Sequence, residues 1–216
     1  MAGCKHAAPA LKNPGPAAVV AGSTPVADAE SGVSLLIPIG WRVGVPRNMP
    51  TLPTTGEEAA PPSGMDPALA QMAQGMEAEN AEAEKKELAR MREKEGIVLH
   101  CVDGSKPTIA EEPTRLYVKR IPDAGLSELN DAAVAEQQDA HRNMKKEIVD
   151  LPVGKAMKLT AKGQNRIGDE ECHVSYIFLD GNDEYILRFA STNNPDAILS
   201  IEKQVAQSFR VRPKTK

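Results

Sequence analysis

The chain reads as an α+β protein, helices packed on a mostly antiparallel sheet, and three observations predict it. First, the final third holds three apolar, β-branched stretches at residues 156–161, 171–179 and 185–190, the last two joined across the turn residues Asp180-Gly181-Asn182-Asp183. Second, Asn194-Pro195 then opens a helix that carries Ile198, Ile201, Val205 and Phe209 on one stripe. A meander closed by a helix favours strands paired with their sequence neighbours and helices laid over one face. Third, roughly 160 residues lie outside the leader and the one long loop, enough to close a core without metal or disulfide staples.

The elements follow in chain order. Residues 1–30 are mostly Ala, Pro, Gly and Ser, with few charges and no apolar period. They bury too little apolar surface to offset their ordering entropy and read as a disordered Ala/Pro-rich tether. Val33, Leu35 and Ile37 alternate as a strand until Pro38 and Gly40 break it, a bend that should turn Trp41 into the core. Residues 46–65 hold Pro46, Pro50, Pro53, Pro61 and Pro62 and read as a loop. Asp66-Pro67 supplies a helix cap and first position. That helix should run to Gly96, with Leu69, Met72 and Met76 on one face and a solvated second half over 82–95.

Residues 97–102 form a short apolar strand stopped by Asp103-Gly104, and 115–120 set Leu116 and Val118 against Tyr117 and Lys119, a half-buried strand. Ser127 begins a second helix expected to reach about Glu147, with Leu129, Ala132, Ala133, Ala140 and Met144 inward. The organisation is therefore a tether over 1–30, a domain over 31–212 with a loop-plus-helix expansion at about 46–96, and a tail over 213–216.

Composition removes several classes. The formal net charge is −4 with both signs interspersed, which is no nucleic-acid footprint. Aromatic residues make up 3% of the chain, too few for a base- or sugar-stacking platform. No stretch of about 18 apolar residues offers a membrane span. Gly-x-Ser-x-Gly, a phosphate loop with Lys and His-Glu-x-x-His are all missing from the sequence, so no catalytic residue is assigned and the chain reads as a non-enzyme without cofactor.

Two pieces of the sequence carry a family likeness. One is Leu35-Leu36-Ile37-Pro38-Ile39-Gly40-Trp41. The other is Tyr185-Ile186-Leu187-Arg188-Phe189 followed by residues 198–205 and Ser208-Phe209-Arg210. Between them, Leu151-Pro152-Val153-Gly154-Lys155-Ala156 leads into a strand. Together they resemble the superfamily that contains the PsbP protein of photosystem II, the Ran-binding Mog proteins and the envelope lipoprotein DcrB. The likeness spans residues 33–212. It implies an α/β/α sandwich around an antiparallel sheet and a protein that works by binding another protein, whose identity it does not specify. It transfers no catalytic or contact residue.

Met1-Ala2-Gly3-Cys4 has the small-small-Cys ending of a bacterial lipoprotein cleavage site, without the basic and apolar stretches that normally precede one. Cys4 is thus the candidate lipidation site of an envelope protein that meets the membrane only through its lipid; a cytoplasmic accessory or chaperone-like protein is the alternative. His100-Cys101 and Cys172-His173 contain a zinc-like ligand set, but adjacent strand residues face opposite ways and no metal is assigned. Cys101 and Cys172 are expected in the core, where a disulfide would form only in an oxidising compartment and with Cα atoms within about 7 Å. Met65, Met72 and Met76 have ordinary core spacing as well as a copper-like composition, which leaves a small-molecule or metal carrier as a further alternative. His141 lies on a polar helical face. Trp41 and Phe209 are the expected core anchors.

Overall fold

Alternating β-branched and aromatic side chains drive most of the second half of the chain into long paired strands. The structure is a computed structural model that describes residues 11–12, 17, 22–45, 67–104, 113–139, 144–164, 168–192 and 194–212. In chain order the elements are β1 (Ser23–Asp28), β2 (Val33–Pro38), β3 (Trp41–Val43), α1 (Pro67–Glu95), β4 (Ile97–Asp103), β5 (Arg115–Ile121) and α2 (Leu129–Asp139). They continue with β6 (Lys145–Leu151), β7 (Gly154–Gln164), β8 (Glu170–Asp180), β9 (Asp183–Thr192), α3 (Pro195–Ser208) and β10 (Arg210–Val211). The strands make a seven-stranded sheet, β3-β4-β5-β9-β8-β7-β6, and a smaller one, β1-β2-β10. All pairings are antiparallel. The α+β class expected from the sequence is the observed one.

Strand alternation gives the large sheet two unlike faces. On one, Leu116 and Val118 of β5, Leu187 and Phe189 of β9 and Val174, Tyr176 and Phe178 of β8 meet β2 and α3 in one core. Phe209 closes it, stacked on Phe178 at 4.7 Å between ring centres and edge-on to Tyr185 at 6.4 Å. α3 starts where the sequence indicates: the Asn194 side chain accepts a hydrogen bond from the Ala197 amide, and Pro195 takes the first position, where its missing N–H costs nothing. On the other face the small Ala132 and Ala133 let α2 lie close against Met157, Leu159, Ile177 and Ile186.

Three expectations need correction. Residues 23–28, placed in the tether, form β1, held to β2 along its full length. Pro25 suits it, because β1 is an edge strand whose outer amides need no partner. The second helix ends at Asp139 and not near Glu147: residues 145–151 pair with β7 as β6. Met144-Lys145-Lys146-Glu147 carry helix-forming side chains, but Ile148-Val149 and the turn at Pro152-Val153 draw the segment into a hairpin. Trp41 lies in β3, half-buried at the rim of the α3-side core and not within it.

Arginines tie α1 to the body, because its surface is too polar to be held by apolar packing alone. Arg92 reaches the carboxylates of Asp28 and Glu30 and the carbonyl of Val98. Glu84 receives the Arg42 guanidinium and the Val45 amide.

Candidate functional site

The face beneath α2 carries a row of polar side chains at the centre of the sheet. Register dictates it: His100 lies opposite Tyr117, Tyr117 opposite Arg188, and Arg188 opposite Ser175, across β4, β5, β9 and β8. Glu136 of α2 comes down onto the row and is buried there. Its Oε1 accepts from Arg188 Nε at 2.7 Å and from the Ser175 hydroxyl at 3.0 Å, and Arg188 Nη2 rests against the same oxygen. Arg188 Nη1 donates to the Tyr117 hydroxyl at 2.5 Å. Tyr117 stacks on His100, whose Nδ1 donates to the Gly44 carbonyl at 2.5 Å. Burial pushes the His100 imidazole below its ordinary range. A buried ion pair held by several hydrogen bonds is a rigid object, and this one pins α2 to the middle of the sheet.

Beyond α2 the same face stays open as a cleft of about 300 Å³. Tyr117, Arg188, Met144, Arg115, His173 and Glu171 are among the residues that line it. His173 Nε2 sits 3.6 Å from Glu171 Oε2. The walls mix cations, one carboxylate and apolar surface, a composition suited to holding a polar group on a protein or small molecule.

The structure separates the two cysteine–histidine pairs as strand alternation requires. Cys101 and Cys172 face the α3-side core, while His100 and His173 face the α2 side. The two cysteines are free and buried. Cys101 pairs laterally with Leu116, which lies opposite Phe189, and that opposite Val174. Three strand spacings, roughly 14 Å, therefore separate β4 from β8, and the contemplated disulfide does not form. Burial raises both thiols, Cys101 to about 12, so neither is a nucleophile at neutral pH. Phe209 is a fully buried anchor. Asp180-Gly181-Asn182-Asp183 is the β8–β9 turn, with Asp183 binding Arg120 at 2.8 Å. Met76 is exposed. Cys4, Met65 and His141 lie outside the described residues, as does the side chain of Met72.

The Glu136–Arg188–Tyr117 cluster escaped sequence reasoning. One signal was available: Arg188 interrupts the apolar run Tyr185-Ile186-Leu187 before Phe189, and a charge inside a central strand must have a partner. The partner lies 52 residues earlier on a helix, which no local pattern reveals.

These features define a two-faced antiparallel α+β sandwich with a cleft on its thinner side. No family model and no curated protein matches the chain. Solved structures do. The protein Mog1 aligns at a TM-score of 0.47 and 9% identity over 89% of this chain and 97% of its own. LpqN of Mycobacterium tuberculosis, described as involved in cell envelope biogenesis, aligns at 0.43 and 10% over 88% and 91%. The cyanobacterial PsbP of Synechocystis sp. PCC 6803 aligns at 0.33 and 14% over 90% and 95%. The chain spans only 50% of a Bacteroides thetaiotaomicron structure that it also matches. At these identities the likeness is one of fold alone.

Proposed function

We propose that the protein is a non-catalytic accessory module of the cell envelope that binds another protein through the cleft beside α2 and is held to the membrane by lipid on Cys4. The observation that carries the binding reading is the built wall of the cleft. Glu136 and Tyr117 accept from the Arg188 guanidinium and the Ser175 hydroxyl donates to Glu136, so the wall is preorganised for contact. The thiols are sealed in the core on the opposite face, which favours recognition over covalent chemistry. The lipid reading is supported by Met1-Ala2-Gly3-Cys4, and among the described residues no helix is long and apolar enough to cross a membrane.

The test uses the full chain as bait in envelope extract, beside an Arg115→Glu/His173→Glu variant with unchanged circular dichroism. A partner retained by the natural chain and lost from the variant supports the reading; equal retention refutes the cleft as the surface. The mass of the N-terminal peptide from the native gene decides the lipid: a diacylglyceryl adduct on Cys4, and release from membranes on Cys4→Ser, are the expected results. An unmodified thiol moves the protein to the cytoplasmic reading. The size of the cleft also favours a second reading, a small-molecule carrier, since about 300 Å³ is at the lower limit of ligand pockets. Thermal shifts across a metabolite panel would detect it.

A further inference from the structure

Two backbone hydrogen bonds reach from the N-terminal segment onto the far end of the sheet. The Leu11 amide donates to Asp180 Oδ1 at 2.9 Å, across 169 positions of sequence, and the Lys12 amide donates to the Val153 carbonyl at 2.7 Å. The Leu11 side chain packs on the α3-side core and stands beside Gly154. Around this contact lies a groove of about 470 Å³ with Leu129, Leu151, Val153 and Leu179 in its walls. Leu11 and Lys12 thus bind through their amides, and Leu11 partly buries its side chain, at the pole that carries the β6–β7 and β8–β9 turns.

The place matters because the chain enters the domain at the other pole. Gly22, just ahead of β1, accepts from the Ile39 amide, and Gly40 next to it binds Gly104 beyond the end of β4. Asp103 in turn binds Thr114, and Thr114 contacts Ser191, a wall residue of the cleft. Without the Leu11–Lys12 contact the N-terminal segment would leave the domain at this cleft pole. The two poles lie about 30 Å apart, the rise of β8 from Glu171 to Asp180. The ten residues from Lys12 to Gly22 reach at most about 35 Å, enough to join the two poles.

We infer that Leu11 and Lys12 are an intramolecular pin that moves the exit point of the N-terminus from the cleft pole to the turn pole, so that the cleft faces away from whatever holds the first residues. Where those residues carry a membrane anchor, a clause that rests on the proposed function, the cleft points outward. The pin itself does not depend on that anchor.

The test is made on the full chain in solution, free of lipid. Amide exchange should be slowed at least about tenfold at Leu11 and Lys12 relative to an unstructured peptide, and Asp180→Ala should abolish the effect at Leu11. A nitroxide on the α-amine of Met1 should broaden the amide resonances of Gly154 and Gly181 while sparing Gly104 and Thr192. Leu11→Asp should transfer that broadening toward Gly104 and Thr192 without changing the spectrum of β8 and β9. Unprotected amides at Leu11 and Lys12, or broadening equal at both poles in the natural chain, would overturn the inference. So would a Leu11→Asp pattern identical to the natural one. None of these outcomes bears on whether Cys4 is lipidated or what the cleft binds.

Discussion

The two faces of the seven-stranded sheet solve the same problem with different chemistry. The α3 face is mainly apolar and aromatic at its centre, covered by a 14-residue helix and by β2, with one buried ion pair where Glu202 of α3 meets Lys158 of β7 at 2.7 Å and the Tyr176 hydroxyl. The α2 face has a shorter cover of 11 residues, seated on alanines, and at its middle a buried ion pair takes the place of aromatic packing. Dispersion and apolar burial supply stability on the first face. On the second, the Arg188–Glu136 pair adds little net stability but fixes one position for α2 and so shapes the cleft. Under the proposed function, stability and recognition fall mainly on opposite sides of one sheet, and substitutions should sort accordingly.

The largest effect is expected from Phe209→Ala. It removes a fully buried ring that touches Phe178 and Tyr185, and should cost about 3–5 kcal/mol in denaturant unfolding with the cleft chemistry unchanged. A loss below about 1 kcal/mol would mean that the α3 face is not the stabilising one. Glu136→Ala comes next. It strands the Arg188 guanidinium, only part of which water can reach, and should cost about 2–4 kcal/mol. It should also loosen α2, seen as faster amide exchange at Ala132 and Ala133. Glu136→Leu with Arg188→Met should recover most of the stability while losing partner capture, a split that no α3-face substitution should give.

How much of this was legible in the sequence follows from which forces are local. The β8–β9 hairpin and α3 were readable because turn residues, caps and alternation lie within a few positions of what they specify. β6 was misread because Lys145, Lys146 and Glu147 favour a helix in isolation, and only pairing with β7 overrides that preference. β1 was missed because Pro25 and Ala27 carry no strand signal; its order comes from β2, whose own signal was strong. The cleft was illegible, since its walls come from β5, β8 and β9 and converge only through register. Trp41 illustrates the limit from the other side. The Pro38–Gly40 bend was seen, but whether it turns the ring inward depends on β4, whose Asp103 lies opposite. At the core rim, Trp41→Ala should cost about 2 kcal/mol, below the figure for Phe209, and its fluorescence should be intermediate between buried and solvent-like.

The smallest effect concerns Glu184, and it tests the α2 face by pH. Glu184 is only 3% exposed, and its Oε1 has no hydrogen-bond partner. It lies on β9 opposite Leu179 and Ile121, with the Glu136 carboxylate of α2 and the Lys119 ammonium of β5 as the charges nearest in effect. Burial, reinforced by Glu136 and opposed by Lys119, raises its pKa from 4.5 to about 7. The folded state therefore holds this proton more tightly than the unfolded chain does. At pH values below about 4.5 the group is protonated in both states and costs nothing. Between 4.5 and 7 the unfolded chain releases its proton first, so stability falls as pH rises, and above 7 the penalty is complete. Glu184→Gln removes the titration but keeps a polar group in the same place, so only part of the penalty returns. It should stabilise the protein by about 1–2 kcal/mol at pH 8, leave it unchanged within error at pH 4, and flatten the unfolding profile between those values. Equal effects at both pH values would mean that Glu184 is not charged against its surroundings and that burial on the α2 face does not hold its proton.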